Sequence, residues 1–157
     1  MICADRDIVL FNKRLDRESR REMYSPTKIS GASVYEWTEA TKDGTDRTER
    51  EVFKIRIPID AAFQGDRKYL PAGQYDALSE EEAAEYWTLH NTDLIIIASA
   101  PFEDIDTAIC EDGIAEPEIR ALAGRIGSRP APIILSGYAD NTQRGSDTVK
   151  HWRLEGA

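Results

Sequence analysis

The sequence predicts a mainly β fold: a small antiparallel barrel or sandwich of about six strands, with one or two short helices and long polar loops. Three patterns lead to this prediction. Ile55, Ile57 and Ile59 alternate with other residues, as in a strand with one buried face. Residues 93–98 form a short, β-branched apolar run, which favours a strand buried on both sides. The chain ends with two extended segments around a polar loop, the pattern of a β-hairpin.

The first predicted strands lie near the start of the chain. Residues 7–13 indicate a strand in which Val9 and Phe11 face one side and the apolar residues between them face the other. Residues 22–29 are also predicted to be extended. Because Pro26 cannot donate a hydrogen bond to a strand ladder, this segment is expected at a sheet edge or a bulge.

The clearest antiparallel pair is predicted between residues 33–38 and residues 51–59. The connection between them is rich in charge and contains the turn dipeptide Asp43-Gly44. Charge of this density is not explained by core packing. We therefore expect an exposed hairpin tip over residues 42–47.

Helices are predicted only in the middle of the chain and in the part that precedes the final hairpin. Pro71 suits the first turn of a short helix, and Ser79 with Glu82 has the spacing of a capping box. Residues 117–126 have the apolar stripe of one amphipathic helix. The final hairpin then follows, with strands at 132–138 and 148–154.

The composition is that of one globular domain, residues 1–157. A length of 157 residues, 41% hydrophobic and 31% charged, supplies one core and is short for two. No apolar run is long enough to cross a bilayer and the first residues lack signal-peptide features, so we expect a cytoplasmic protein without membrane association. A net charge of -9 argues against a stand-alone nucleic-acid binder.

Few side chains could carry chemistry. Cys3 and Cys110 are predicted to be free thiols, since two cysteines give no disulfide framework and too few ligands for zinc. His90 and His151 are predicted to be surface or packing residues, because neither lies in a recognised metal or nucleophile spacing. The i,i+3 spacing of His90 and Asp93 does not place them on one helical face, so we predict no acid–base or metal pair there.

The acidic stretch 103–113 resembles a calcium-binding loop in composition only. An EF-hand loop beginning at Asp104 would need an oxygen donor and a glycine where the chain has Ala108 and Ile109. We interpret this stretch as a solvated acidic loop. Without a phosphate-binding glycine loop, a nucleophile elbow or a zinc-protease motif, we predict no catalytic, cofactor-binding or metal-binding residues.

Several motifs occur in an order that resembles a family of uncharacterised prophage proteins. They are Tyr35-Glu36-Trp37, Lys68-Tyr69-Leu70-Pro71, Tyr86-Trp87-Thr88-Leu89, a strand led by Asp93, a loop with Gly145, and His151-Trp152-Arg153. This order covers nearly the whole chain, and the acidic segment 101–117 departs from the pattern. In this resemblance the following residues are expected to be structural: Trp37, Trp87, Asp93, Gly145, His151 and Trp152.

Members of that family resemble products of head-to-tail joining gene clusters. They are distantly similar to the head-completion, or stopper, proteins of long-tailed phages, which are small β-barrels with a helix and long loops that assemble as rings below the portal. The resemblance implies a non-enzymatic connector, either stopper or tail-completion adaptor, without a cofactor. Its location would be the host cytoplasm during assembly and then the virion.

The partners implied are the phage portal, adaptor or tail-completion proteins. The chain would form a homo-oligomeric ring in the particle and remain a monomer in isolation, with DNA only as the non-specific contents of the conduit. Polar loops are the expected assembly segments. The residues predicted to make assembly contacts are Lys42, Asp43, Gly44, Thr45, Asp46, Asp104 and Asp106.

Two other functions are compatible with the sequence. A small-ligand-binding β-barrel would have an enclosed apolar cavity lined by Trp37, Trp87 or Trp152, although such aromatic residues more often fill a core. A carboxylate-dependent enzyme would have a cleft that holds two acidic groups in different environments.

Overall fold

A computed structural model describes residues 5–15, 20–102, 113–143, 145–146 and 149–157. The predicted mainly β fold is confirmed, with nine strands and three α-helices among these residues. The strands are β1 (Arg6–Leu15), β2 (Glu22–Asp43), β3 (Asp46–Pro58), β4 (Ala62–Phe63), β5 (Lys68–Tyr69), β6 (Tyr86–Trp87), β7 (Leu94–Ile97), β8 (Ile133–Asp140) and β9 (His151–Gly156). The helices are α1 (Ala72–Asp76), α2 (Glu80–Ala83) and α3 (Glu116–Ile126).

Six antiparallel strands form a closed hydrogen-bonded ring. Their order is β1-β7-β8-β9-β3-β2, and β2 pairs again with β1, so the circuit returns to its start. Strand β4 adds to β2, while β5 and β6 form a separate parallel pair. Closure satisfies the backbone hydrogen bonds that an open sheet would leave along its edges.

The long strand β2 joins two parts of this ring. Its first half pairs with β1, from Glu22 to Ala32, and its second half pairs with β3, from Ser33 to Asp43. The change of partner occurs beside Gly31, whose φ of 93° lies in a region that other residues rarely adopt. A single strand therefore serves two neighbours by bending at a glycine.

The edge position predicted for Pro26 agrees with the structure. Pro26 lies opposite Phe11 of β1, and its carbonyl oxygen accepts a hydrogen bond of 2.8 Å from the guanidinium of Arg67. That carbonyl points away from β1. Because the nitrogen and carbonyl of one strand residue point the same way, the missing N–H of proline is on the side without a strand ladder.

Two hydrophobic clusters lie on opposite sides of β1, as its alternation predicts. Ile8 and Leu10 point into the ring, where they pack against residues of β3, β7, β8 and β9. Val9 and Phe11 point outward and pack beneath α3. The ring is thus filled from within, and α3 covers the outer surface on the β1–β7 side.

Aromatic side chains fill one end of the interior. Trp87 is fully buried, and its ring centroid lies 4.8 Å from that of Trp152. Phe63 and Tyr69 each contact both tryptophans. Burial raises the pKa of the Tyr69 hydroxyl to about 12, with smaller effects from nearby groups, so this hydroxyl stays protonated.

The helices begin where the sequence indicates. Pro71 directly precedes α1. Ser79 and Glu82 form the predicted capping box, in which the Ser79 hydroxyl accepts a hydrogen bond from the Glu82 N–H. Helix α3 starts one residue before the predicted 117–126. It has 11 residues, and no helix among the described residues is long and apolar enough to span a bilayer.

The final hairpin is confirmed, but its second strand begins and ends later than predicted. Strand β9 runs from His151 to Gly156 instead of 148–154. The Val149 N–H donates to the Ser146 carbonyl, so this residue closes a turn in the loop rather than joining the ladder. At the other end Gly156 lies opposite both Phe53 and Leu135, which extends the strand.

Candidate interaction site

Residues 38–51 form a two-stranded arm that projects from the ring. Every residue of this arm is exposed, whereas Val52 and Phe53, which follow directly, are buried. The arm consists of six cross-strand pairs, from Thr38 opposite Glu51 to Asp43 opposite Asp46. At the usual rise per residue it extends about 17 Å. Gly44, with φ of 63°, makes the turn at its tip.

The arm tip places like charges directly opposite one another. Lys42 faces Arg47 on one side of the arm, and Asp43 faces Asp46 on the other. Like charges in directly opposed positions destabilise a hairpin, and a two-stranded hairpin alone is marginally stable in water. The Arg47 guanidinium also lies 3.0 Å from the Glu49 carboxylate, which offsets part of its repulsion with Lys42, so the opposed aspartates are the like-charge pair that most lowers the stability of the tip.

Next to the arm, the outer surface of the ring combines aromatic and basic side chains. Tyr35 is 65% exposed, and its ring centroid lies 5.7 Å from that of Trp37, which is opposite the buried Val52. Lys54 lies opposite Tyr35. We call this surface the basic-aromatic face; its residues are Tyr35, Trp37, Lys54, Arg56 and Arg153.

The basic residues of this face have little compensating negative charge. Arg56 on β3 lies directly opposite Arg153 on β9, another like-charge pair. Lys54 and Arg153 share one carboxylate, Glu155, at 3.9 and 4.0 Å, near the limit of an ion pair. Exposed contacts of this length contribute little to stability. The face therefore presents positive charge to whatever approaches it.

A second polar cluster lies at the end of β1 and centres on the buried carboxylate of Asp93. Three N–H groups donate to it at 2.9 Å: the Asn12 side chain, the Lys13 backbone and the His90 backbone. Asn12 also donates to the Thr88 carbonyl and accepts from the Thr88 N–H. This network ties β1 to the segment between β6 and β7, which is a structural role.

His90 and Asp93 come together in the structure, although their i,i+3 spacing does not place them on one helical face. The Asp93 N–H donates to the His90 carbonyl, and Thr92 between them has a φ of 77°, so the chain forms a tight turn. As a result, Nδ1 of His90 lies 3.4 Å from Oδ1 of Asp93, close enough for ionic attraction but without a well-aligned hydrogen bond. Sequence spacing alone does not reveal a turn made by a threonine with positive φ.

His90 also contacts a second carboxylate. Its Nε2 lies 2.8 Å from Oδ1 of Asp76 at the end of α1. Burial lowers the pKa of His90, but the two carboxylates outweigh burial, and the pKa is raised above its ordinary value. The two carboxylates lie at different nitrogens of the imidazole, and no group of three or more metal-ligand residues occurs among the described residues.

An open cleft of about 680 Å³ lies beside this cluster and is lined in part by Arg14, Asp76, Ser79 and His90. Two polar side chains of its wall have partners around the connection between α1 and α2. Arg14 donates to the Leu78 carbonyl, and the Ser79 hydroxyl donates to Glu82 as part of the capping box. Ser79 is therefore occupied as a helix cap rather than aligned with His90.

Comparison with known proteins gives one family. The family model DUF6751, described as a family of unknown function, matches residues 3–157. The chain belongs to this family. No curated protein and no solved structure matches it. Membership in DUF6751 agrees with an uncharacterised family and names no activity.

In this DUF6751 chain the predicted site residues separate into different environments. Lys42, Asp43, Gly44, Thr45 and Asp46 all lie at the arm tip, where they are exposed. Asp104 and Asp106 lie outside the described residues, as do both cysteines. Of the residues predicted to be structural, Trp37 lies on the basic-aromatic face, whereas the others lie in the core, the buried network or the last hairpin: Trp87, Trp152, Asp93, Gly145 and His151.

Sequence reasoning missed how unevenly charge is distributed along the chain. Residues 69–119 contain thirteen aspartates and glutamates and not one lysine or arginine. In the structure, part of this segment folds into α1 and α2 and exposes carboxylates on one corner. We call it the acidic corner; its residues are Asp76, Glu80, Glu81, Glu82 and Glu85.

Proposed function

We propose that this protein is a non-enzymatic structural subunit of a phage or prophage head–tail connector, which assembles as a ring on the portal. The arm is the observation that supports the proposal most directly. It projects from a closed and filled strand ring, it is exposed along its whole length, and its tip carries opposed like charges. These properties suit a segment that becomes ordered against a neighbouring molecule.

The backbone of the arm adds a second means of contact. Strand β9 pairs with β3 only from Phe53 onward, and β1 pairs with β2 only up to Ala32. Beyond these points the outer edges of the arm have no strand partner among the described residues. Free edges of this kind accept a strand from another chain, and charged side chains along them limit unspecific pairing.

The proposed partners follow from this role. Portal, adaptor or tail-completion proteins would receive the arm, and identical copies would lie side by side in the ring. DNA would pass through the opening of the ring of subunits without specific contact, which a chain with a net charge of -9 permits. The protein would act without a cofactor, first in the host cytoplasm and then in the virion.

The test is to mix the purified chain with portal assemblies from the same prophage. We expect co-sedimentation in a fixed ratio and added ring density in electron micrographs. A variant with Lys42→Glu and Arg47→Glu should bind less, while Arg120→Glu with Arg125→Glu on α3 makes the same change in charge away from the arm and should bind as the original chain does. A chain that stays free beside competent portals contradicts portal docking, and tail-side partners are then tested in the same assay.

The arrangement of tryptophans gives the ligand-binding alternative no support. Trp87 and Trp152 contact each other in the filled interior, and Trp37 lies on the outer surface, so the three do not line one cavity. The best test of the ligand-binding hypothesis is thermal unfolding in the presence of a library of small apolar ligands. A reproducible rise in Tm with a ligand would favour the alternative.

One specific observation supports the alternative of a carboxylate-dependent enzyme. Asp76 is exposed at the cleft and Asp93 is buried behind His90, so two carboxylates in different environments flank one imidazole. The three N–H donors that surround Asp93 favour a structural role for it. Turnover of ester, phosphate or glycoside test substrates that is lost in Asp76→Asn would overturn the non-enzymatic proposal.

A further inference from the structure

We infer that the basic-aromatic face of one copy binds the acidic corner of the next copy, head to tail. The inference rests on the proposed function, because a ring requires a repeated contact between identical chains, and it names the two surfaces that make this contact. The partner is therefore a second copy of this chain. Its acidic corner offers carboxylates, and the face that receives it offers guanidinium, ammonium and aromatic groups.

The face has the properties of an interface centre. Tyr35 and Trp37 are neighbouring aromatic rings on an uncovered sheet surface, and aromatic residues with arginine are enriched at the centres of protein interfaces. Helix α3 covers the outer surface on the β1 side of the ring, but this side has no such cover among the described elements. A docked chain would bury the exposed ring of Tyr35 and the part of the half-buried Trp37 ring that the isolated chain leaves accessible.

The cations of the face call for an anionic partner. Arg56 and Arg153 lie directly opposite each other on adjacent strands, an arrangement that destabilises the free chain. Glu155 is the only carboxylate within ion-pair distance of either Lys54 or Arg153 among the described contacts, and it is shared between them. Carboxylates brought by a neighbour would relieve the repulsion and convert it into attraction.

The acidic corner has the complementary charge and is held in a fixed orientation. Glu80, Glu81 and Glu85 are exposed, and the capping box fixes the start of α2. The corner is fastened to β1 and the segment before β7 through Arg14 and His90. Arg14 and His90 are the cationic groups in contact with the corner, and against its five carboxylates they leave it with net negative charge.

The two surfaces belong to different parts of the molecule, so their contact is head to tail. The face is built on β2, β3 and β9, whereas the corner is attached at β1 and at the segment before β7. A contact between two different surfaces leaves one of each free at the ends of any dimer. Repetition of such a contact closes into a ring or continues as a filament. The closed ring is the geometry that a connector needs.

Charge reversal followed by mixing tests the contact. Variant F carries Arg56→Glu and Arg153→Glu on the face, and variant C carries Glu80→Lys, Glu81→Lys and Glu85→Lys on the corner, because three reversals are needed to make the sum of its five charges positive. Asp76 and Glu82 are left unchanged because they pair with His90 and complete the capping box. Each variant alone presents like charge on both surfaces, whereas a mixture of F and C matches every face with an oppositely charged corner.

The original chain, a monomer when dilute, should self-associate weakly at about 1 mM protein and low salt in analytical ultracentrifugation, and this association should fall about tenfold or more between about 50 and 500 mM salt. F and C should each be monomeric, and the mixture should associate again. The control with Arg120→Glu and Arg125→Glu should associate like the original chain. Circular dichroism spectra that match the original chain establish that F and C are folded.

Two results overturn the inference. One is a chain that is monomeric at low salt, together with an equally monomeric mixture of F and C. The other is binding of a single-stranded oligonucleotide that is lost in F, while self-association is unchanged, which would assign the face to nucleic acid. Neither result depends on portal binding, so failure of the portal assay with restored association in the mixture would reject portal docking and leave the contact between copies standing.

Discussion

Nε2 of His90 lies 2.8 Å from Oδ1 of Asp76, and this pair fastens helix α1 to the sheet. The other side of the imidazole faces the buried carboxylate of Asp93 at 3.4 Å. His90 thus links an exposed helix end, which belongs to the acidic corner, to a fully buried carboxylate. A change at His90 is therefore expected to alter how firmly the acidic corner is held.

Stability should decrease as the pH rises through the pKa of His90. This pKa is raised in the folded chain by the two carboxylates, against the opposing effect of burial, relative to about 6.5 in an unfolded chain. The stabilisation from protonated His90 is then fully present below about pH 6.5 and is lost as pH rises through the higher folded value. Urea unfolding at a series of pH values measures it.

Asp76→Asn is the variant that tests this assignment. It removes one of the two charges that raise the pKa, and the decline in unfolding free energy should become smaller and move to lower pH. His151→Gln is the control, since the contacts of that ring are the Val149 carbonyl and the Asn141 side chain. An unchanged pH profile in Asp76→Asn would show that this pair does not control the titration.

Asp93→Ala should destabilise the fold by about 3 to 5 kcal/mol, because it leaves three N–H donors without their acceptor in a buried site. Chemical denaturation measures the loss. Asp60→Ala removes an exposed carboxylate and should stay within about 0.5 kcal/mol of the original chain. Similar small effects for both variants would contradict the structural role of Asp93.

Substitution by alanine should change the stability of the fold in opposite directions at two glycine positions. In Gly156→Ala the added Cβ would lie 2.4 Å from the Ile134 carbonyl oxygen and 2.7 Å from Cγ2 of Ile133, so a loss of about 1 to 3 kcal/mol is expected. Gly124→Ala meets open space within α3 and should add about 0.5 to 1 kcal/mol. Thermal unfolding of both variants measures the effects, and equal signs would be inconsistent with this packing.

Asp46→Lys should stabilise the free arm while weakening assembly. The new lysine would face Asp43 and replace a like-charge pair with an opposite-charge pair, for a gain of about 0.2 to 1 kcal/mol in the hairpin. Slower amide hydrogen exchange over residues 38–51 would reveal the gain in hairpin stability. Weaker co-sedimentation with the portal would reveal the loss of assembly. Asp60→Lys makes the same charge change outside the arm and should leave both measurements unchanged.

Much of the fold could be predicted from the sequence because its signals are local. The alternation along β1 and β3, the apolar run of β7 and the capping box at Ser79 each depend on residues a few positions apart, and the structure has all of them. The exposed hairpin tip was predicted in the same way, from charge next to Gly44. Side-chain alternation and turn chemistry act over a few residues, so they can be recognised without the rest of the chain.

Other features exist only through contacts between distant parts of the chain. Ring closure depends on β2 changing partner, and the polar network joins Asn12 to Asp93, which are 81 residues apart. The pairing of Arg56 with Arg153 likewise depends on the register of β3 with β9. The sequence by itself determined which segments become strands, turns and helices; the tertiary structure alone decided which of them meet, because register and closure depend on the packing of the whole core.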